Sequence, residues 1–210
     1  RAIARDAGDH RVTAQPAAVH DFDDNAWDDL LNYIEERRVI PIIGPDLLRV
    51  DTDQGPRLLY EWLAEKLAVK LSVDPTGLPQ PLTLNDVVCS YLGQRGRREE
   101  AYTRLRSILR ENEFEPPPVL RQLAQITDFD LFITTTFDPL LEQAVNLERF
   151  GGQPHAEVIA YAPNRVSDLP AERSQLQRPV VYHMLGKLSA SPTYVLSDED
   201  MLEFICALQS

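Results

Sequence analysis

Apolar residues first recur with helical spacing at Trp27, Leu30, Leu31 and Ile34, which stand at i, i+3, i+4 and i+7 behind Asp24 and Asn25 as N-cap candidates. The run 39–43 breaks that period. It is apolar, rich in β-branched residues and ended by Gly44 and Pro45, which predicts a buried strand feeding a tight turn. Leu59, Trp62, Leu63 and Leu67 share one helical face within 58–71, and Leu84, Val87, Val88, Tyr91 and Leu92 share another. Between them, 74–81 carries three prolines and must be a loop, because proline donates to neither kind of ladder.

Tyr102, Leu105 and Leu109 predict a further helix, and Leu120, Leu123 and Ile126 one that starts near Pro118. The run 131–135 reads as a second strand. It is followed by Phe137, Asp138 and Pro139, and then by Leu140, Leu141 and Val145 at helical spacing. Strands are expected at 158–161, 180–184 and 194–196, and a closing helix over 198–208 carries Met201, Leu202 and Ile205. This alternation predicts an α/β fold: a Rossmann-like open, mostly parallel sheet with helices on both faces and a small helical cap inserted at about 56–127. In such folds ligands sit beyond the carboxyl ends of the strands.

Charge narrows the partners. With 33 acidic against 21 basic residues the formal charge is −12, and the arginines are scattered, so direct nucleic-acid binding is not expected. No stretch approaches the roughly 20 apolar residues that cross a bilayer. The two cysteines, Cys89 and Cys206, and the four histidines, His10, His20, His155 and His183, lack metal-ligand spacing, so no zinc site is expected. Two distant cysteines form no disulfide framework, which fits a cytoplasmic protein. Residues 1–24, without periodicity, are expected to be a flexible leader or an artificial boundary. Residues 25–210 are expected to form one domain of a longer protein, with a fused or associated effector domain or a second copy of the chain as partner.

Three strand-to-helix turns could carry chemistry. At Gly44, Pro45 and Asp46, a glycine lets backbone approach a phosphate, and the amides of a following helix would favour an anion. Pro45 removes one amide, however, and Asp46 adds a negative charge, so a plain turn with Asp46 as a helix cap stands equally. At Thr134, Thr135 and Thr136 the hydroxyls alternate between the sheet faces, and Asp138 reads as a cap for the helix at Pro139 rather than as a catalyst. At the third turn, His183 and Leu185 would point to the same side of a strand, about 6–7 Å apart. A lone histidine there is more often packed than catalytic.

Taken together, these segments resemble the SIR2-like family of NAD-consuming and bacterial defence proteins. The Thr-Thr-Asn-Tyr-Asp-x-Leu-Leu-Glu pattern of that family resembles 134–142, where Thr134, Thr135, Asp138, Leu140, Leu141 and Glu142 fall in register. Its Gly-Ala-Gly-x-Ser type loop resembles 40–48, and its Leu-His-Gly strand end resembles Met184, Leu185 and Gly186. The resemblance implies an NAD or related adenine nucleotide held by Gly44, Pro45, Asp46, Thr134, Thr135, Asp138 and Gly186. In the family an asparagine and a histidine carry out cleavage at the nicotinamide–ribose bond. Here Thr136 and Leu185 occupy those positions, so the resemblance implies a catalytically inactive nucleotide-binding, regulatory or assembly module of a larger protein of the anti-phage type. Two alternatives stay open: an NAD glycohydrolase in which Thr136 and a displaced His183 do the chemistry, and a structural oligomerisation domain.

Overall fold

The computed structural model describes residues 23–163, 169–170, 172–189 and 193–208. The expected leader lies almost wholly outside the described residues. Helix α1 (Asp24–Glu35) is capped by Asp23, whose carboxylate accepts from the Ala26 amide at 2.7 Å. Strand β1 keeps only Ile42–Ile43 of the expected run. Upstream of it, Val39 gives its carbonyl to Arg173, and Pro41 has no amide to donate.

After β1 comes a correction. No helix follows Gly44. A single 3-10 turn, Pro45–Leu47, leads into the hairpin β2 (Arg49–Thr52) and β3 (Gly55–Leu58). Asp46 sits inside that turn and caps no helix, and Gly44, at its start, has no capping side chain. The hairpin escapes a periodicity reading because its strands are four residues each, charged, and interrupted by Pro56; Gly55, at φ +93°, marks the turn.

Helix α2 (Leu59–Leu71) buries Leu59, Trp62, Leu63, Leu67 and Leu71, one continuous stripe. Helix α3 (Leu84–Gly93) starts from a capping box in which the Thr83 side chain and the Asp86 carboxylate each take the other's backbone amide. Helices α4 (Arg98–Glu111) and α5 (Pro118–Gln125) follow, the latter with Pro118 in its first turn. Arg149 then fastens the end of α5: its guanidinium donates to the carbonyls of Ala124 at 2.6 Å, Ile126 at 2.6 Å and Phe129 at 2.8 Å. These acceptors are carbonyls that the end of a helix leaves without intrahelical donors, or lie just beyond it.

The sheet is completed by β4 (Leu131–Thr134), β5 (Glu157–Ala160) and β6 (Val180–His183), with α6 (Leu140–Phe150) between β4 and β5. All pairings are parallel and the order is β1-β4-β6-β5. The fold is mixed α/β with a parallel four-stranded sheet, as a Rossmann-like architecture requires. One sheet face contributes Phe132 and Val181 to a main core shared with α2 to α6; the other carries a smaller cluster of Leu131, Ile159 and Val180, closed by Leu169, Leu176 and Tyr182. The expected strand at 194–196 is a single bridge from Tyr194 to Gly186. Val195 donates its amide to the Leu185 carbonyl at 3.0 Å, but the flanking polar groups go elsewhere: the Tyr194 carbonyl accepts from the Tyr102 hydroxyl, and Asp200 takes the Leu196 and Ser197 amides to cap α7 (Asp198–Leu208).

Candidate functional site

Parallel register places Ile43, Thr134, His183 and Ala160 in one row at the carboxyl ends of the strands, with side chains on the same face. The chemistry-bearing residues therefore meet, and the question is what they bond to. Thr134 and Thr136 bond each other through their hydroxyls at 2.8 Å, and Thr134 Oγ1 also accepts from the Thr136 amide at 3.1 Å. Both threonines are buried; Thr135 is half-buried and turns its hydroxyl to the Ile43 carbonyl at 3.4 Å.

Asp138, 1% exposed, accepts from the Leu140 amide at 3.0 Å and from the Tyr60 hydroxyl at 3.0 Å; the helix begins at Leu140 with Pro139 at its N-cap, one residue later than expected, so Asp138 bonds its first amide from outside the cap position. Burial holds its carboxyl above the ordinary aspartate range, against the pull of these donors. Tyr60 comes from the first turn of α2, and its hydroxyl accepts in turn from the Phe137 amide at 2.9 Å. Burial, reinforced by the nearby Asp138, pushes the Tyr60 phenol well above its usual value, so it acts as a neutral donor.

His183 is fully buried. Its Nδ1 donates to the Thr136 carbonyl at 2.9 Å, and its Nε2 lies 3.1 Å from Glu142 Oε2. With Nδ1 as donor, that second contact needs a proton between nitrogen and carboxylate. Lys187 closes the cluster by donating to Glu142 Oε1 at 2.5 Å. Strand β6 ends at His183, and residues 184–185 turn away, so the same-side relation expected for His183 and Leu185 does not hold. Gly186, at φ +82°, completes that turn; a Cβ there would run into the Thr193 carbonyl and Tyr194 Cα.

Beyond the ends of β1 and β4 lies a cavity of about 340 Å³, within the usual range for small-molecule sites. Its lining takes in Pro45 and Asp46, Leu58, Tyr60 and Glu61 at the start of α2, Thr83 to Asn85 at the start of α3, and Thr135 and Phe137 after β4. Thus Pro45, Asp46 and Thr135 line it. Gly44 does not, although a Cβ added there would meet only Thr135 Oγ1, at 3.8 Å. Thr134, Thr136, His183 and Gly186 do not line it, and Asp138 faces a different recess, beside Leu109 and Gln143.

Residues 130–210 match the family model of the SIR2-like domain. The match takes in β4, the threonine run, Asp138, Glu142, His183 and Gly186, whereas Gly44 and its turn precede it. A SIR2-like domain points to an NAD-related function. No curated protein matches the chain. Among the described residues, no helix is long and apolar enough to cross a membrane.

Two kinds of residue escaped the sequence. Tyr60, Glu61, Thr83 and Asn85 come from the helices between β3 and β4, up to 78 positions from Asp138, and no local pattern ties them to the SIR2-like segment. Glu142 did carry a signal, a carboxylate four residues after Asp138 on an otherwise apolar helix face, but its partners His183 and Lys187 are set by tertiary pairing.

Proposed function

We propose that this chain is a SIR2-like module that holds a ligand at the carboxyl ends of β1 and β4 without cleaving it, and serves as the sensing or regulatory part of a larger protein. The observation that carries this reading is the commitment of His183. Both ring nitrogens are occupied by protein partners, the side chain is fully buried, and it does not line the cavity. Leu185 takes the position that the resemblance gives to the base, and leucine accepts no proton. Thr136, at the asparagine position, spends its hydroxyl on Thr134. A positioned acid or base typically supplies about 10²–10⁴ in rate, and loss of both groups leaves little cleavage.

A glycohydrolase built on His183 would first have to break the bonds to Thr136 and Glu142, which would leave a buried carboxylate beside Lys187 without its second partner. The test is a proton NMR time course of NAD with the purified chain. The expected result is broadening of ligand resonances with no free nicotinamide above the protein-free control. Nicotinamide release at an enzyme-like rate, lost on His183→Ala, would refute the reading.

A further inference from the structure

The order β1-β4-β6-β5 gives β1 a single neighbour, so one of its long sides has no strand beside it. The hydrogen bonds say which residues face that side. Pro41 and Ile43 give their carbonyls to the amides of Ile133 and Thr135, in and just after β4, both at 3.0 Å. Backbone groups alternate between the two sides of a strand, so Ile40 and Ile42 turn their amides and carbonyls outward. Among the described residues these outward groups have no hydrogen-bond partner. Pro41 lacks its amide on the β4 side only, which leaves the donors of the outer side intact. The side chains of the same two residues are open as well, Ile42 at 65% and Ile40 at 39% exposed. An unpaired edge carrying exposed isoleucines is the kind of edge onto which another extended segment adds.

Charge indicates which segment fits. Arg37 and Arg38 stand just before this run and Asp46 just after it. A second copy laid parallel would set arginine beside arginine and Asp46 beside Asp46. Laid antiparallel, it sets the arginine end of each strand against the Asp46 end of the other, and Ile40 opposite Ile42, so that each outward amide meets a carbonyl. Arg38 is held within its own chain by Glu36 at 3.2 Å, but both side chains are well exposed, and such a pair is easily exchanged. We propose that the open side of β1 is a self-association edge, through which two copies of the chain pair β1 to β1 about a two-fold axis and join their sheets into one. The two-fold arrangement uses the same edge of both copies and therefore closes at the dimer. The contact is short and each copy carries a formal charge of −12, so association is weak, with a dissociation constant of roughly 10–100 µM at about 0.15 M salt. This inference does not depend on the ligand-holding reading above.

The experiment is sedimentation velocity of the 210-residue chain over about 1–300 µM, a range that brackets this constant, with hydrogen exchange read by mass spectrometry at both ends of it. The expected result is a monomer–dimer equilibrium, with exchange within 40–43 slowed at the high concentration. Ile42→Lys alters a largely exposed side chain, and should raise the dissociation constant at least about tenfold with no change in thermal midpoint. Arg38→Glu and Asp46→Arg should each weaken the dimer by about 3- to 10-fold, and the double variant should recover most of that loss. A chain that stays monomeric to about 300 µM would overturn the proposal. So would a dimer that Ile42→Lys leaves unchanged, or one without slowed exchange in 40–43, because it would use another face. Species that grow beyond the dimer with concentration would overturn the two-fold arrangement in favour of head-to-tail pairing between β1 and β5, the strand at the opposite edge of the sheet.

Discussion

Replacing Tyr60 by phenylalanine removes one oxygen atom and leaves the ring in place. That oxygen donates to Asp138 at 3.0 Å and accepts from the Phe137 amide at 2.9 Å, and both partners are buried. Each buried polar group left without its partner costs about 1–3 kcal/mol, more when it is charged, so the substitution should destabilise the fold by about 2–4 kcal/mol near neutral pH. The cost should also depend on pH in a definite direction. The Asp138 carboxyl is raised by burial in the folded state, so its contribution is fully present below the unfolded carboxyl value and is lost as pH rises through the folded value. The Tyr60 hydrogen bond is one of the influences that draw the folded value back down. Without it the folded value climbs further, and the variant loses more stability than the wild type as pH rises. Urea unfolding of both proteins across the acid-to-neutral range should therefore show a gap that is smallest below the ordinary carboxylate range and widens by about 1–2 kcal/mol above it. A gap that stays constant with pH, or shrinks as pH rises, would refute the account of Asp138 as a buried carboxyl held by Tyr60.

Gly186→Ala should destabilise by about 2–4 kcal/mol, because φ +82° disfavours any side chain and the added Cβ meets the Thr193 carbonyl and Tyr194 Cα; a thermal midpoint equal to the wild type would contradict the turn geometry. Arg149→Lys should cost about 2–3 kcal/mol in chemical denaturation despite the retained charge, since an ammonium cannot reach the three carbonyls of Ala124, Ile126 and Phe129 in the guanidinium geometry; a loss under about 0.5 kcal/mol would show that the fork is dispensable.

Local periodicity was sufficient for much of the fold. The stripe Leu59, Trp62, Leu63, Leu67 and the run 131–134 announce α2 and β4 because each buries one face or lies wholly inside, and burial writes itself into spacing. It failed where a segment's polar groups are satisfied from a distance. Residues 194–196 look like a strand, yet Tyr102 and Asp200 take up their carbonyl and amide, and the charged hairpin over 49–58 has no alternating pattern.

The site divides in the same way. The sequence alone carried the threonine run, a local bond from Asp138 to the start of the next helix, and the substitution of Thr136 and Leu185 at positions where the resemblance expects catalytic groups, because these are matters of residue identity and of neighbours within one turn. Only the tertiary structure decided that His183 is occupied by Thr136 and Glu142, that Tyr60 reaches Asp138, and that Asp46, Glu61 and the start of α3 line one cavity. The physical reason is that hydrogen-bond commitment and local charge depend on which groups the parallel sheet and its helices bring within about 3 Å, and residues 41 to 78 positions apart meet there through packing, which no periodicity records.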